Sequence, residues 1–341
     1  MQSFMNPEIV INPLFSVAKA FKLLVLPLFL GFFRNVARSH ASTLERVMYS
    51  LSQFICLASL PVMAGWVSPL RDMRSADNFV EDLVYFSGVM GAPHAAASYW
   101  CISILVLLFG LMTGYFRGTL SRLYNIALIA VGFVSIFMAY TRTGWLMLVV
   151  GLLFLLKPVR LTIKHVLIFL FAIAIMYGSF EYLFKTNDAF RMRMTATNMY
   201  NGNDGETIDM DGSGRIEFWD TGISNWADND IYGLLFGIGF TQVTEDNYKE
   251  TGIEVFSHNQ FVDSLCQHGL IGLLLLLIFF YSIYKYIVRI DKSVEYRRLA
   301  LAVFWSNAVF AFFQNEMYFN FAVIFAIILS LLQRPANQMI K

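Results

Sequence analysis

Charged side chains are scarce in this chain. Asp, Glu, Lys and Arg make up 14% of its 341 residues, hydrophobic residues make up 57%, and the mean hydropathy is +0.58. A soluble domain has about 25% charged residues, so the composition excludes an ordinary soluble protein. Because a bilayer span needs about 20 mostly apolar residues, and the chain holds many such runs, the sequence predicts an integral multi-pass membrane protein. Its 33 Phe and 8 Pro favour helices over a barrel, whose strands would alternate over about 10 residues.

Cysteine is also scarce. Cys56, Cys101 and Cys266 all lie in apolar runs, which excludes the loop-stapling disulfide framework of a secreted domain and is typical of small core residues. A net charge of +1 gives no reason to expect a nucleic-acid partner. The N-terminal residues lack a basic region before a compact apolar core, so no cleavable signal peptide is expected. No cluster has zinc spacing and no glycine-rich phosphate loop is present, so the sequence demands no cofactor.

Hydropathy predicts an all-α, polytopic transmembrane bundle of about nine spans with one large polar loop. The predicted spans are, to within a few residues, 14–33, 47–66, 96–114, 124–140, 144–156, 165–184, 260–284, 299–315 and 318–333. Lys19 and Lys22 interrupt the first, and the fourth and fifth could form one segment broken near 141–144. The chain therefore divides into N-terminal transmembrane helices at 1–184, the large loop at 185–258, and C-terminal transmembrane helices at 259–341.

Lysine and arginine predict the orientation, since short cytoplasmic loops collect them. Alternate loops are basic, and we place them inside: Arg34, Arg38, Arg46, Arg117, Arg122, Lys157, Arg160, Lys164, Lys285, Arg289, Lys292, Arg297 and Arg298. The loop at 185–258 falls on the opposite side and carries 13 Asp and Glu against 5 Lys and Arg. The expected location is therefore the bacterial inner membrane, with the large loop in the periplasm.

Three basic side chains at the outer ends of predicted helices are candidates for catalysis. Arg142 lies in a helix break, Arg215 opens an amphipathic segment after a Gly-Ser-Gly stretch, and His258 precedes the span at 260–284. A guanidinium binds phosphate oxygens through two parallel hydrogen bonds, and histidine titrates near neutral pH, as a general base requires. The alternatives are a headgroup anchor for Arg142, a surface ion pair for Arg215 and a helix-start residue for His258.

Other polar residues near these helix ends are candidates for substrate binding: Arg191, Arg193, Asn259 and Glu316. Arg191 and Arg193 form a basic patch with Lys185 where the loop leaves the membrane, and headgroup binding is the favoured interpretation of this patch. His268, nearly three helical turns into the predicted span, is interpreted as a buried structural histidine. His94 is open to either a structural or a functional interpretation.

A calcium loop is an alternative interpretation of part of the large loop. Residues 209–216 match the first eight positions of an EF-hand loop, with Gly at the sixth and Ile at the eighth. The side-chain ligands would be Asp209, Asp211, Ser213 and Asp220. Residues 201–205 before the loop are turn-like rather than helical, which disfavours a bound metal. Arg215, at the seventh position, would bind calcium through its backbone carbonyl, so its guanidinium would remain available for a substrate.

Four short patterns together resemble the O-antigen polymerase and O-antigen ligase superfamily (the Wzy and WaaL type). They are SGVMGAPH at 87–94, TRTG at 141–144, SGRIEFW at 213–219 followed by GLLFGIGF at 233–240, and SHN at 257–259 followed by QHGLIG at 267–272. Ala92 and His94 stand where the family has asparagine. The order and spacing of the patterns carry the resemblance, which covers roughly 80–280 well.

The resemblance implies a GT-C-like fold and a glycosyltransferase that uses a polyprenyl-diphosphate-linked oligosaccharide at the surface of the lipid bilayer. It implies that an acceptor sugar hydroxyl attacks the anomeric carbon, with His258 as base and with Arg142 and Arg215 at the leaving diphosphate. A repeat-unit polymerase for an O-antigen or capsule is favoured, with a chain-length regulator protein as an expected partner. An O-antigen ligase for lipid A-core and a polysaccharide transporter or flippase are the alternatives.

Overall fold

The structure is a computed structural model. It describes residues 13–68, 86–90, 92–156, 178, 181–182, 184–186, 198–201, 207–210, 215–251, 256–291, 295–314 and 322–333. The helices are α1 Pro13–Leu57, α2 Ser59–Met63, α3 Pro93–Met112, α4 Thr119–Met138, α5 Arg142–Leu155, α6 Arg215–Ala227, α7 Ile231–Phe236, α8 Phe240–Thr251, α9 Gln260–Arg289, α10 Tyr296–Phe313 and α11 Ala322–Leu331. Strands β1 Asn198–Asn201 and β2 Thr207–Met210 pair antiparallel.

Long apolar helices confirm an integral membrane protein. Among the described residues, four helical stretches are long and apolar enough to cross a bilayer: Leu24–Met63, Pro93–Met112, Thr119–Met138 and Gln260–Arg289. Two shorter apolar helices, Arg142–Leu155 and Ala322–Leu331, accompany them. The total of nine spans and the outer position of the large loop stay predictions, and the span at 165–184 lies almost wholly outside the described residues.

The segment between the predicted spans at 14–33 and 47–66 is helical over most of its length rather than an open loop. Helix α1, Pro13–Leu57, contains one non-helical residue, His40 (φ −132°, ψ 41°), and two helical parts meet there at a kink. Arginine is a good helix former, and Arg34, Arg38 and Arg46 lie within the two helical parts. The kink falls between the two predicted spans, and their number stays a prediction.

Helices α3 and α5 run side by side in the same direction. A Cβ placed on Gly144, near the start of α5, would lie 2.8 Å from the Cβ of Ala97, near the start of α3. Seven residues later, a Cβ on Gly151 would lie 2.5 Å from Cδ1 of Leu105. These glycines let the two helices approach closely, as small residues do in membrane proteins, and both helices therefore begin at the same end of the bundle.

Helix α10 runs opposite to α3 and α5. Tyr296, its first residue, has its ring 5.0 Å from the ring of Phe109, which lies near the end of α3. Along α5, Ser306 Oγ donates a hydrogen bond of 2.8 Å to the carbonyl oxygen of Met147. The last residue of α10, Phe313, therefore lies at the end of the bundle where α3 and α5 begin.

The sequence predicts one straight span at 260–284, but helix α9 is broken within it. Gly269 has φ 68° and ψ −168° and breaks it. Phe261 and Phe280 lie 19 positions apart, which is about 28 Å along a straight helix, yet their ring centroids are 5.5 Å apart. The segment 260–268 therefore folds back against the segment after Gly269, and only the latter part can cross the bilayer.

A second loop fills the break in α9. The backbone N–H of Ile238 donates to the carbonyl oxygen of Cys266 at 2.8 Å, and that of Gly239 donates to Gln267 at 3.3 Å. These bonds satisfy carbonyl groups that the broken helix leaves without an internal partner. A Cβ on Gly237 would collide with the backbone of Gln267, and this explains why a glycine stands there.

Replacing Gly269 by alanine is expected to destabilise the protein by about 1–3 kcal/mol from backbone strain alone, because only glycine adopts this conformation readily. The added Cβ would also collide with the backbone carbonyl of Leu235. Thermal unfolding of the purified protein in detergent measures the effect. Gly31→Ala is the control, since its Cβ would meet nothing within 4 Å. Equal melting temperatures for both variants would show that the fold does not depend on this break.

The large loop is folded where it is described, and its hairpin adds strands to the predicted all-α architecture. Met199 in β1 pairs with Asp209 in β2. This strand disfavours the EF-hand interpretation, because a helix should end at Asp209 where it enters a calcium loop. Asp220 lies exposed within α6, while Asp211 and Ser213 lie outside the described residues.

Candidate active site

Arg215 is the first residue of α6, in the first helical turn as predicted. Its guanidinium carbon lies 5.7 Å from the centre of the Phe313 ring, at the end of α10. A cation near a helix N-terminus is electrostatically unfavourable, because the helix dipole is positive there. Its position over an aromatic face offsets part of that cost and brings the guanidinium to the end of the helical bundle.

His258 lies in the short connection before α9 and has a left-handed backbone with φ 50°. Two contacts hold the preceding residue. Trp219 Nε1 donates to the carbonyl oxygen of Ser257 at 2.6 Å, and the Ser257 N–H donates to Asp263 Oδ1 at 3.1 Å. A non-glycine residue in this conformation costs about 1–3 kcal/mol and persists only where its surroundings enforce it. The fold thus constrains the histidine from α6 and from α9.

The imidazole of His258 is kept neutral. Its pKa is lowered from 6.5 to about 4, chiefly by burial and secondly by the nearby positive charge of Arg215. A hydrogen bond to the side chain of Gln314, just after α10, opposes these effects by favouring the charged form. The ring is therefore unprotonated at neutral pH, as a general base must be.

Arg142 reaches the same end of the bundle from a third helix. It is the first residue of α5 and is exposed. Met147 on α5 contacts Ser306 on the antiparallel helix α10. Arg142 precedes Met147 by five residues, about 7.5 Å along α5, and Phe313 follows Ser306 by seven residues, about 10.5 Å along α10. Both displacements point toward the same end of the bundle. Two residues before Arg142, Tyr140 has φ 50°. Tyr140 and His258 are the non-glycine residues with a left-handed backbone in the described part of the chain, and both adjoin this site.

Two of the sequence-based interpretations change. The side-chain oxygen of Asn259 accepts from the backbone N–H groups of Phe261 and Val262 at 2.9 and 3.2 Å, and the residue is 2% exposed. It therefore caps α9 rather than facing a substrate. His268 is exposed, not buried, because the break at the next residue places it at the turn of the folded-back helix.

The remaining candidates are only partly described. Arg191, Arg193 and Glu316 lie outside the described residues, so their roles stay predictions. Lys185 forms an exposed ion pair with Glu181 at 2.7 Å. His94 is the second residue of α3 and thus lies at the same end of the bundle as Arg142.

Gln314 is the residue that the sequence reasoning missed. It is 4% exposed, and it stands two positions before Glu316, which was chosen instead because it is charged. The polar run at 314–316 after an apolar helix was the available signal. Trp219 also belongs to the site, because its indole N–H holds the backbone of Ser257 and its ring packs 5.6 Å from that of Phe312.

Comparison with known proteins supports a functional assignment. Residues 126–277 match the family model described as O-antigen ligase (Wzy_C). The matched segment includes Arg142, Arg215 and His258. No curated protein matches the chain.

Proposed function

We propose that this chain, whose residues 126–277 match the O-antigen ligase family model, transfers a glycan from a polyprenyl diphosphate to a sugar hydroxyl. The family supports a glycosyltransferase-type enzyme of the membrane in general. The finer proposal is a repeat-unit polymerase of the bacterial inner membrane that works at the periplasmic face.

The proposal depends on one observation, which is that the Arg215 guanidinium and the His258 imidazole lie close together next to Gln314, just after the end of α10. In the proposed step, the acceptor hydroxyl oxygen forms a bond to the anomeric carbon of the donor. The bond from that carbon to the diphosphate oxygen breaks, and its electron pair leaves with polyprenyl diphosphate. The hydroxyl proton passes to His258. Arg215 and Arg142 stabilise the charge that develops on the leaving diphosphate, as fixed cations do in a transition state.

The same geometry couples donor binding to proton transfer. In the free protein, the positive charge of Arg215 helps to lower the pKa of His258. A diphosphate bound at Arg215 would offset that charge, so the proton affinity of His258 would rise. His258 is therefore a stronger base when the donor is bound, and it stays unprotonated while the site is empty.

The charge of the large loop acts on a polymerase acceptor and on a ligase acceptor in the same sense. The loop carries 13 acidic against 5 basic residues, and both a second polyprenyl-diphosphate-linked glycan and lipid A-core carry phosphate groups. A repeat-unit polymerase is the function that the sequence favours. An O-antigen ligase is the second candidate function, because the matched family model carries that description.

The test uses the wild-type protein in proteoliposomes with a labelled polyprenyl-diphosphate oligosaccharide. A ladder of products on a gel, absent from protein-free liposomes, is the expected result for a polymerase. A single shift that requires added lipid A-core would establish the ligase instead. Movement of unmodified donor across the bilayer, with no new glycosidic bond, would overturn the enzyme and support a flippase.

A further inference from the structure

We propose that Gln314 is a positioning residue that holds His258 in the tautomer with a proton on Nε2 and a free lone pair on Nδ1, the atom that receives the acceptor proton. This inference depends on the function proposed above, because it assigns a role within that site. It concerns the residue that directly follows α10, outside the matched segment 126–277.

The first argument is the identity of the hydrogen-bonding atoms. Gln314 forms a side-chain hydrogen bond with His258, while His258 Nδ1 is buried and has no hydrogen-bond partner among the residues that the structure describes. The bond therefore falls to Nε2. The amide nitrogen of Gln314 is likewise buried without a partner among the described residues, so its amide oxygen accepts and the ring N–H donates. A neutral imidazole that donates from Nε2 has its lone pair on Nδ1.

The second argument is that Gln314 is itself held in place. It is 4% exposed and follows Phe313, whose ring lies beneath the guanidinium of Arg215. The preceding ring, Phe312, packs against Trp219, and Trp219 in turn holds the backbone of Ser257. One rigid set of contacts thus fixes both partners of the hydrogen bond. Fixed partners of this kind orient a catalytic histidine and select its tautomer.

Charged groups at this end of the bundle lie on three elements. Arg215 acts on the ring of His258 from α6, and it stays charged at all accessible pH values. Asp263 lies on α9, where its carboxylate accepts from the N–H of Ser257. Arg142 lies at the start of α5, at the same end of the bundle. Gln314 is the neutral member of the set, so changing its charge tests its contact with the histidine directly.

The test compares the pH dependence of transfer by wild type, Gln314→Glu and Gln314→Met. With a His258 pKa of about 4, wild-type activity is expected to be flat from pH 8 down to about pH 5 and to fall below it. Gln314→Glu keeps an acceptor of the same size and adds a negative charge. It should retain activity at pH 8, and the acid limb should move upward by about one to three pH units.

Gln314→Met has a similar length but no acceptor. Its kcat is expected to fall by about 10- to 100-fold, the range found when an orienting partner of a histidine is lost, with little change in KM. Glutamate should rescue what methionine loses. If wild type is active but both variants match its pH profile and its kcat, Gln314 does not orient the base. If wild type makes no glycosidic bond at all, the proposed function fails instead.

Discussion

Replacing His258 by asparagine is expected to lower the rate of glycan transfer by about 100- to 10,000-fold, the range that a positioned general base contributes. Asparagine cannot accept the proton of the acceptor hydroxyl at neutral pH. It tolerates the left-handed backbone of this position, where φ is 50°, better than most residues do. The loss should therefore appear in kcat, measured with the lipid-linked donor, while the melting temperature stays close to that of wild type.

The matched control is His268→Asn. His268 is exposed and lies ten positions along the same helical hairpin, so its replacement should leave transfer within about twofold of wild type, as for most surface changes. A His258→Asn protein that folds normally and retains near wild-type turnover would remove His258 from the chemistry. Glu316, the other titratable candidate from the sequence, would then be the next residue to replace.

The apolar runs predicted where most helices lie, because burial in lipid requires a long hydrophobic stretch. The predicted spans at 96–114 and 144–156 agree closely with Pro93–Met112 and Arg142–Leu155. The reversal at Gly269 was not predicted, because a single glycine inside a helical pattern gives no clear signal of a break, although the polar residues Asp263, Gln267 and His268 precede it. A break of this kind becomes visible only when Ile238 and Gly239 are seen to satisfy the carbonyl groups that it exposes.

The candidate site was predictable in its chemistry but not in its contacts. Arg215 and His258 were recognised because charged and titratable groups near a membrane are costly and hence informative. Gln314 is neutral, and a neutral amide at a helix end gives no such signal. Its relation to His258 depends on the packing of α10 against α6 and α9, which no local pattern encodes. Asn259 was misjudged for the same reason, because a capping role depends on the helix that follows.

Replacing Arg215 by glutamine is expected to lower kcat by about 100- to 1,000-fold, the usual effect of removing one group that stabilises transition-state charge. It should also change the pH profile. The charge of Arg215 is one of the two causes that lower the pKa of His258, and burial is the larger one. Without that charge the pKa should rise part of the way toward 6.5, so activity should begin to fall at a higher pH than in wild type.

Arg215→Lys separates the two roles of this side chain. Lysine keeps the positive charge that acts on His258 but loses the planar fork that binds two phosphate oxygens. It should therefore lower kcat while leaving the acid limb where wild type has it. Arg289→Gln, which removes the exposed last residue of α9, is the control for a simple loss of charge and should be nearly silent. A pH profile that is the same in Arg215→Gln as in wild type would show that Arg215 does not act on the base. Full activity in both Arg215 variants would show that the leaving diphosphate is stabilised elsewhere, for which Arg142 is the next residue to replace.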